Sequence, residues 1–322
     1  MITEGNLVDS GRRMALPAHD HRLPDTDRQW RAHLSDLEFY LEQRIRGQRQ
    51  AVRRVTQALQ ASALGLNAGS AGPSASFLFL GPTGVGKTET AKAFTEYLFG
   101  SRASLEMLFM NEYAAATRTP EFLSRLEVAI ARNPRGATLV FDEIEKAHPQ
   151  LIDLFLSLLD EGLFTTASGE RLAVKPFYLV LTSNLGSGDL AKMESVPHAT
   201  MERVALDVAR QSLRPELFAR ITEHIVFRPL DLEVQKQIVD ELIVRKLEGL
   251  SRYFGRRLTI ARGPVAAFLL RLAYNKNQGA RMLRQEVERQ FNRACLPWAL
   301  RNEVPPEGHF DYDSGHAGLL LR

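Results

Sequence analysis

Apolar residues begin to recur at helical spacing past residue 34, at Leu37, Tyr40, Leu41 and Ile45, and again after Gly47 at Val52, Val55, Leu59 and Leu64. This spacing predicts two amphipathic helices. The stretch from Asn67 to Ser76, rich in Gly, Ala and Ser, breaks the pattern and reads as a linker into a sheet. Four short apolar runs follow, Phe77–Leu80, Leu105–Met110, Thr138–Phe141 and Phe177–Thr182, with helical stretches between them. Runs without polar alternation suit parallel strands covered on both faces, so the expected architecture is α/β, with a parallel sheet in the middle of three layers. After Pro229 the pattern turns helical: Val234, Ile238, Leu242 and Leu247, then Val265 to Leu272, then Leu283, Val287, Phe291, Cys295 and Trp298. A small helical domain is expected there.

At 322 residues the chain has the length of about two domains. The patterning divides it into a flexible leader over residues 1–33, a large α/β domain over 34–228 and a small helical domain over 229–322. A 44% hydrophobic, 25% charged composition excludes collagen-like and wholly disordered chains. The 41 basic and 38 acidic side chains nearly cancel, which argues against nucleic acid as a partner. The first residues lack the apolar core of a signal peptide, and no run has the length of a membrane span, so a cytoplasmic protein is expected, with no membrane partner. The single cysteine, Cys295, shares a helical stripe with Leu283 and Phe291 and reads as a buried thiol. His19 and His21 in the leader are too few for a structural metal site and read as a solvated tail.

The run GPTGVGKT, placed between the strand Phe77–Leu80 and a helix-compatible segment, sets Gly81, Gly86, Lys87 and Thr88 in phosphate-loop register, with Thr83, Gly84 and Val85 between them. Small residues let the backbone curl until several N–H groups face one anion, and the helix start adds a favourable dipole. Lys87 is expected to meet the β- and γ-phosphates of ATP, and the Thr88 hydroxyl to bind Mg²⁺. Downstream, the strand in TLVFDEIEKAHP ends in Asp142 and Glu143. One carboxylate there suits the metal's shell, and the next suits the water that attacks the γ-phosphate. His148 reads as a helix-start residue and not as a base.

Together GPTGVGKT, FDEIEKAHP, LTSNLGS, LRPELFARI and NQGARMLR follow the order found in Clp-type AAA+ ATPases, and the chain resembles the second ATPase domain of the ClpA/ClpB remodelling chaperones over about residues 35–310. The resemblance implies that Lys87 and Thr88 belong to Walker A, and Asp142 and Glu143 to Walker B. It puts Asn184 at sensor 1 and makes Arg220 an arginine finger that reaches a neighbouring subunit's nucleotide. Sensor 2 falls on Arg281, with Arg284 one turn on as the alternative. The segment RIRGQ places Ile45, Arg46 and Gly47 by the adenine, with Ile238 opposite. An apolar residue is usual where Arg46 stands, so its side chain either stacks on the base or turns outward. ATP, Mg²⁺ and a ring oligomer, a hexamer in the family, are also implied.

The family's long segment before Walker B carries an aromatic loop that grips polypeptide. Its counterpart, AAATRTPEFLSRLEVAIARNPRG, is shorter, with Thr117 and Arg118 near the expected aromatic position. Phe122 begins an apolar stripe with Leu126 and Ile130 and is expected in the core, whereas Tyr113 stands at a strand end. Two functions follow. The first is ATP-driven remodelling of a dedicated protein partner by an oligomer; the second is a nucleotide-dependent assembly switch with slow hydrolysis and no threading. A DNA-loading AAA+ protein is disfavoured by the balanced charge and the lack of a helix-turn-helix appendage.

Overall fold

The structure, a computed structural model, describes residues 26–67, 71–166, 169–193, 196–274, 279–313, 315 and 318–322. His19 and His21 lie outside the described residues, as does most of the expected leader. Its end is earlier than residue 33, because α1 (Asp27–Ser35) begins with a capping box: the Thr26 hydroxyl accepts from the Gln29 N–H while the Gln29 side chain accepts from the Thr26 N–H. The helix escapes an apolar count because it buries only Leu34 and docks through aromatic stacking, His33 lying 4.0 Å from the Tyr97 ring. The two predicted helices follow as α2 (Leu37–Glu42) and α3 (Arg49–Ala63).

Next come β1 (Ala75–Leu80), α4 (Lys87–Phe99), β2 (Leu105–Phe109), α5 (Thr119–Arg132), β3 (Thr138–Asp142) and α6 (Pro149–Asp160). A short antiparallel hairpin, β4 (Leu163–Thr165) with β5 (Arg171–Ala173), precedes β6 (Tyr178–Ser183). Then come α7 (Ser187–Leu190), α8 (His198–Ser212), α9 (Pro215–Arg220) and β7 (Glu223–Val226). The main sheet is parallel, in the order β2-β3-β6-β1-β7. Successive side chains point to opposite faces. Accordingly Phe77 and Phe79 of β1 join a core with α2 and α3, while Leu78 and Leu80 join another with Phe122, Leu126 and Phe155. These two cores make the three layers. The sheet has five strands where four apolar runs were visible; the fifth, β7, is an edge strand whose Glu223 and His224 break the apolar signal.

The C-terminal third consists of α10 (Leu232–Tyr253), β8 (Thr259–Ile260), α11 (Arg262–Ala273), α12 (Gly279–Arg301), β9 (His309–Asp313) and β10 (Gly318–Leu321). Val239, Ile243, Leu269, Leu283 and Phe291 form a third core. Helices dominate as expected, but they are joined by a sheet in the order β10-β9-β8, so this part is not purely helical. Its strands are two to five residues long, too short for a period to show, and are held by burying Phe310, Leu319 and Leu321 on the helices. Cys295 is buried there, and burial pushes its thiol up to about 11. Among the described residues, no helix is long and apolar enough to cross a membrane.

Candidate nucleotide site

The strand order sets the C-terminal ends of β1, β6 and β3 side by side, and Lys87, Asn184, Asp142 and Glu143 lie at or just beyond those ends. After Leu80 the chain turns at Gly81, with φ 140°; a Cβ there would stand 2.4 Å from the Phe227 carbonyl oxygen, so only glycine fits. The loop closes at Gly86, which caps α4 in the left-handed region and leaves the first N–H groups of that helix free of any side-chain cap. Thr88 follows, half-buried.

Lys87, the first residue of α4, is 7% exposed. Its Nζ donates to the Gly81 carbonyl, to the Pro82 carbonyl at 2.9 Å and to Asn184 Oδ1 at 2.8 Å. Burial lowers its pKa to about 8, a fall moderated by the carboxylates of Asp142, Glu145 and Glu143 and deepened slightly by Arg281. The result is a buried cation held by neutral oxygens, surrounded by acids and close to a row of backbone donors.

Asp142 ends β3, and Thr182 of the adjacent β6 donates its hydroxyl to the Asp142 carboxylate. The Glu143 N–H donates to the same hydroxyl at 3.2 Å. Glu143 itself sits at φ 59°, a left-handed conformation that costs a non-glycine residue about 1–2 kcal/mol. Its Oε1 accepts from Asn184 Nδ2 at 3.0 Å. Asn184 therefore bridges Lys87 and Glu143, with the Thr83 hydroxyl 3.5 Å from its Oδ1. Thr182 and Glu145 belong to this constellation and were not singled out from sequence. Both lie inside the quoted motifs, but their partners become visible only once β3 and β6 are neighbours.

On the other side of the loop, Ile45 is buried, with its Cγ2 3.4 Å from the place of a Cβ on Gly86. Val234 of α10 packs against Gly47, and half-buried Ile238 touches both the large core and that of the C-terminal third. Arg46 turns outward: its Nε lies 2.7 Å from Glu241 on α10. Gln48 pairs twice with the Arg228 backbone, donating to its carbonyl at 2.8 Å and accepting from its N–H at 2.9 Å. The start of α12 docks on the loop itself, where the Ala280 N–H donates to the Gly84 carbonyl at 2.9 Å. Arg281 next to it is exposed and acts on Lys87, whereas Arg284 lines a groove with Glu89 and Lys246. Arg220 stands apart from this cluster, at the end of α9, where it pairs with Asp160 and donates to the Glu216 carbonyl at 3.2 Å. His148 caps α6, accepting from the Gln150 N–H at 3.3 Å, as a helix-start residue does.

Residues 72–224 match the family model described as AAA domain (Cdc48 subfamily). Over 290 residues the chain is 38% identical to chaperone protein ClpB 2 of Nostoc sp., an alignment that takes in 84% of this chain and 32% of that one. Heat shock protein 100 of Trypanosoma brucei brucei is 33% identical over 320 residues, 95% of this chain and 36% of its own. The Saccharomyces cerevisiae Hsp104–ADP complex superposes with a TM-score of 0.79 at 25% identity, covering 94% of this chain and 54% of that one. The chain belongs to the Clp-type AAA+ proteins. It spans about a third of the length of the curated relatives it matches.

In this Clp-type chain the segment between β2 and α5 forms two short 3₁₀ turns, Met110–Tyr113 and Ala116–Arg118. The two aromatics singled out from sequence are buried, whereas Phe109, which ends β2 beside these turns, is 39% exposed. Tyr113 is fully buried, edge-on to Phe122 at 5.1 Å, and its hydroxyl accepts from Arg125 at 3.2 Å. Phe122 is also fully buried, as its apolar stripe predicts. Thr117 and Arg118 are exposed, and Arg118 pairs with Glu121 at 2.9 Å.

Proposed function

We propose that this chain binds ATP with Mg²⁺ on the loop 81–88 and hydrolyses it, and that assembled copies use the cycle to remodel a dedicated protein partner. The observation that carries this reading is the Asn184 bridge. Among the described residues the acceptors of the buried Lys87 ammonium are all neutral oxygens, an electrostatically incomplete arrangement that a polyphosphate brought against the adjacent N–H groups completes. Thr88 and Asp142 are the residues that would hold Mg²⁺. Among the described residues, no group of three or more His, Cys, Asp or Glu could hold a metal, which suits an ion that takes its remaining ligands from phosphate and water. Bound Mg²⁺ supplies Lewis acidity at the phosphate oxygens.

Glu143 accepts the proton of the attacking water, its carboxylate aimed by the Asn184 amide. Lys87 stabilises charge that builds on the transferred phosphoryl, and Arg281 on the lid adds a second cation. Ile45, Gly47 and Ile238 bracket the base, while Arg46 serves the lid through Glu241. Arg220, whose ion pair among the described residues is with Asp160, acts on the nucleotide of a neighbouring copy, which makes turnover depend on assembly in a ring, a hexamer as in the family.

The buried state of Tyr113 and Phe122 favours action on a specific partner over threading of arbitrary polypeptide. An aromatic grips by offering ~150–250 Å² of its surface, and neither Tyr113 nor Phe122 offers any. The same observation supports the second reading, an assembly switch with slow hydrolysis. Turnover decides between them: stimulation by a captured partner favours remodelling, and a slow, unresponsive rate favours the switch. The test of the site is Glu143→Gln, which is expected to bind ATP with parental affinity while hydrolysis falls by ~10²-fold or more. A variant hydrolysing at the parental rate would overturn the assignment.

A further inference from the structure

The left-handed turn at Glu143 does more than aim that residue. It feeds the chain into the 3₁₀ turn Ile144–Lys146, anchored by the fully buried Ile144, and this brings Glu145 back towards the loop after β6. Two carboxylates then meet Asn184. Glu143 Oε1 takes the side-chain Nδ2 at 3.0 Å, and Glu145 Oε1 takes the backbone N–H at 3.2 Å. Asn184 Oδ1 is meanwhile held by Lys87, and the Asn184 carbonyl accepts from the Ser187 hydroxyl. Glu145 Oε2 is buried with no hydrogen-bond partner among the described residues. Burying a carboxylate oxygen without a donor opposes folding, so stability alone does not account for a glutamate at this position.

We propose that Glu145 is a positioning residue for ATP hydrolysis: its Oε1 fixes the Asn184 backbone so that the Asn184 side chain spans Lys87 and Glu143. This rests on the reading of the site as ATP-hydrolysing. Without the Glu145 acceptor, the residue that joins the cation on β1's loop to the carboxylate on β3's end is tied only through its side chain and its carbonyl. Glu143 then loses the fixed amide that orients it. Because Asn184 does not hold the adenine side of the site, binding and chemistry separate.

The test is a comparison of Glu145→Ala, Glu145→Asp and Glu145→Gln with the parent chain, by steady-state ATP turnover and by titration with a fluorescent ATP analogue. Gln keeps the acceptor without the charge, whereas Asp keeps the charge but is one methylene too short to reach the Asn184 N–H. The expected result is a kcat lower by roughly ten- to a hundredfold in Ala and Asp, the scale of a misplaced catalytic group. Analogue affinity is expected within about twofold of the parent in all three, and Gln turnover within about threefold. Parental turnover in Ala, a Gln variant as slow as Ala, or affinity falling in step with kcat would each overturn the proposal. Should Ala melt below the assay temperature, Gln and Asp decide: Gln active with Asp impaired supports it, and the reverse order overturns it. A parent chain that neither binds nor hydrolyses ATP would bring down the proposed function as well, an outcome distinct from parental turnover in Ala.

Discussion

Lys87 shows how far a single residue departs from what its chemistry prefers. Burial brings its pKa to about 8 from an ordinary 10.5. Between those values the unfolded chain still holds a proton that the folded chain has released, so stability rises with pH across that window. Below pH 8 both states are protonated, and the whole penalty, about 3 kcal/mol, stands. Replacing Lys87 by Met is therefore expected to remove this pH slope, to raise the unfolding free energy at pH 7 by up to about 3 kcal/mol and to eliminate ATP binding. Urea titrations at pH 7 and 9.5, with calorimetry against ATP, check all three; a Met variant no more stable than its parent at pH 7 contradicts the account. Lys87, Asp142 and Glu143 were legible because each sits at a fixed offset from a strand end that the apolar runs mark. Thr182 and Glu145 were not, because an ordinary hydroxyl and an ordinary acid acquire their roles only from a strand pairing some 40 positions away in the chain.

Among the elements, the buried strands could be read and the edges could not. β1 and β6 are buried at every residue and show as the apolar runs Phe77–Leu80 and Tyr178–Leu181. β7 has a neighbour on one side only, and its entry is stitched by side chains: the Thr222 hydroxyl donates to the Ser76 carbonyl at 2.7 Å and accepts from the Ser76 N–H at 3.0 Å. Such a strand needs no hydrophobic period. The contact between α12 and the phosphate loop was equally invisible, since it is a backbone hydrogen bond made possible by Gly279. That residue lies at φ 47°, and a Cβ on it would meet the Gly84 oxygen at 2.7 Å. Gly279→Ala is expected to push α12 off the loop, costing ~1 kcal/mol of stability and weakening nucleotide binding by a factor of about five. Thermal melts and analogue titration measure the two effects; unchanged affinity would mean that the docked helix does not contribute to binding.

For the molecule as a whole, the proposed arginine finger is a group that its own site does not use. Arg220→Ala removes an ion pair with Asp160 worth at most ~1 kcal/mol at this half-exposed position, so the fold survives. Turnover is expected to fall by about 10³-fold or more. Mixing the variant with Glu143→Gln protein should restore partial activity, since intact Glu143 and intact Arg220 then meet across some interfaces. No recovery at any ratio would place the finger elsewhere. The paired hydrogen bonds of Gln48 with Arg228 fasten the strap from β7 to α10 beside Ile45 and Gly47. The Arg46–Glu241 pair and the Ala280–Gly84 hydrogen bond tie the C-terminal third to the same side of the large domain. With the base of the proposed nucleotide between Ile45 and Ile238, its release and a tilt passed along this strap to the edge strand β7 would be one coupled movement.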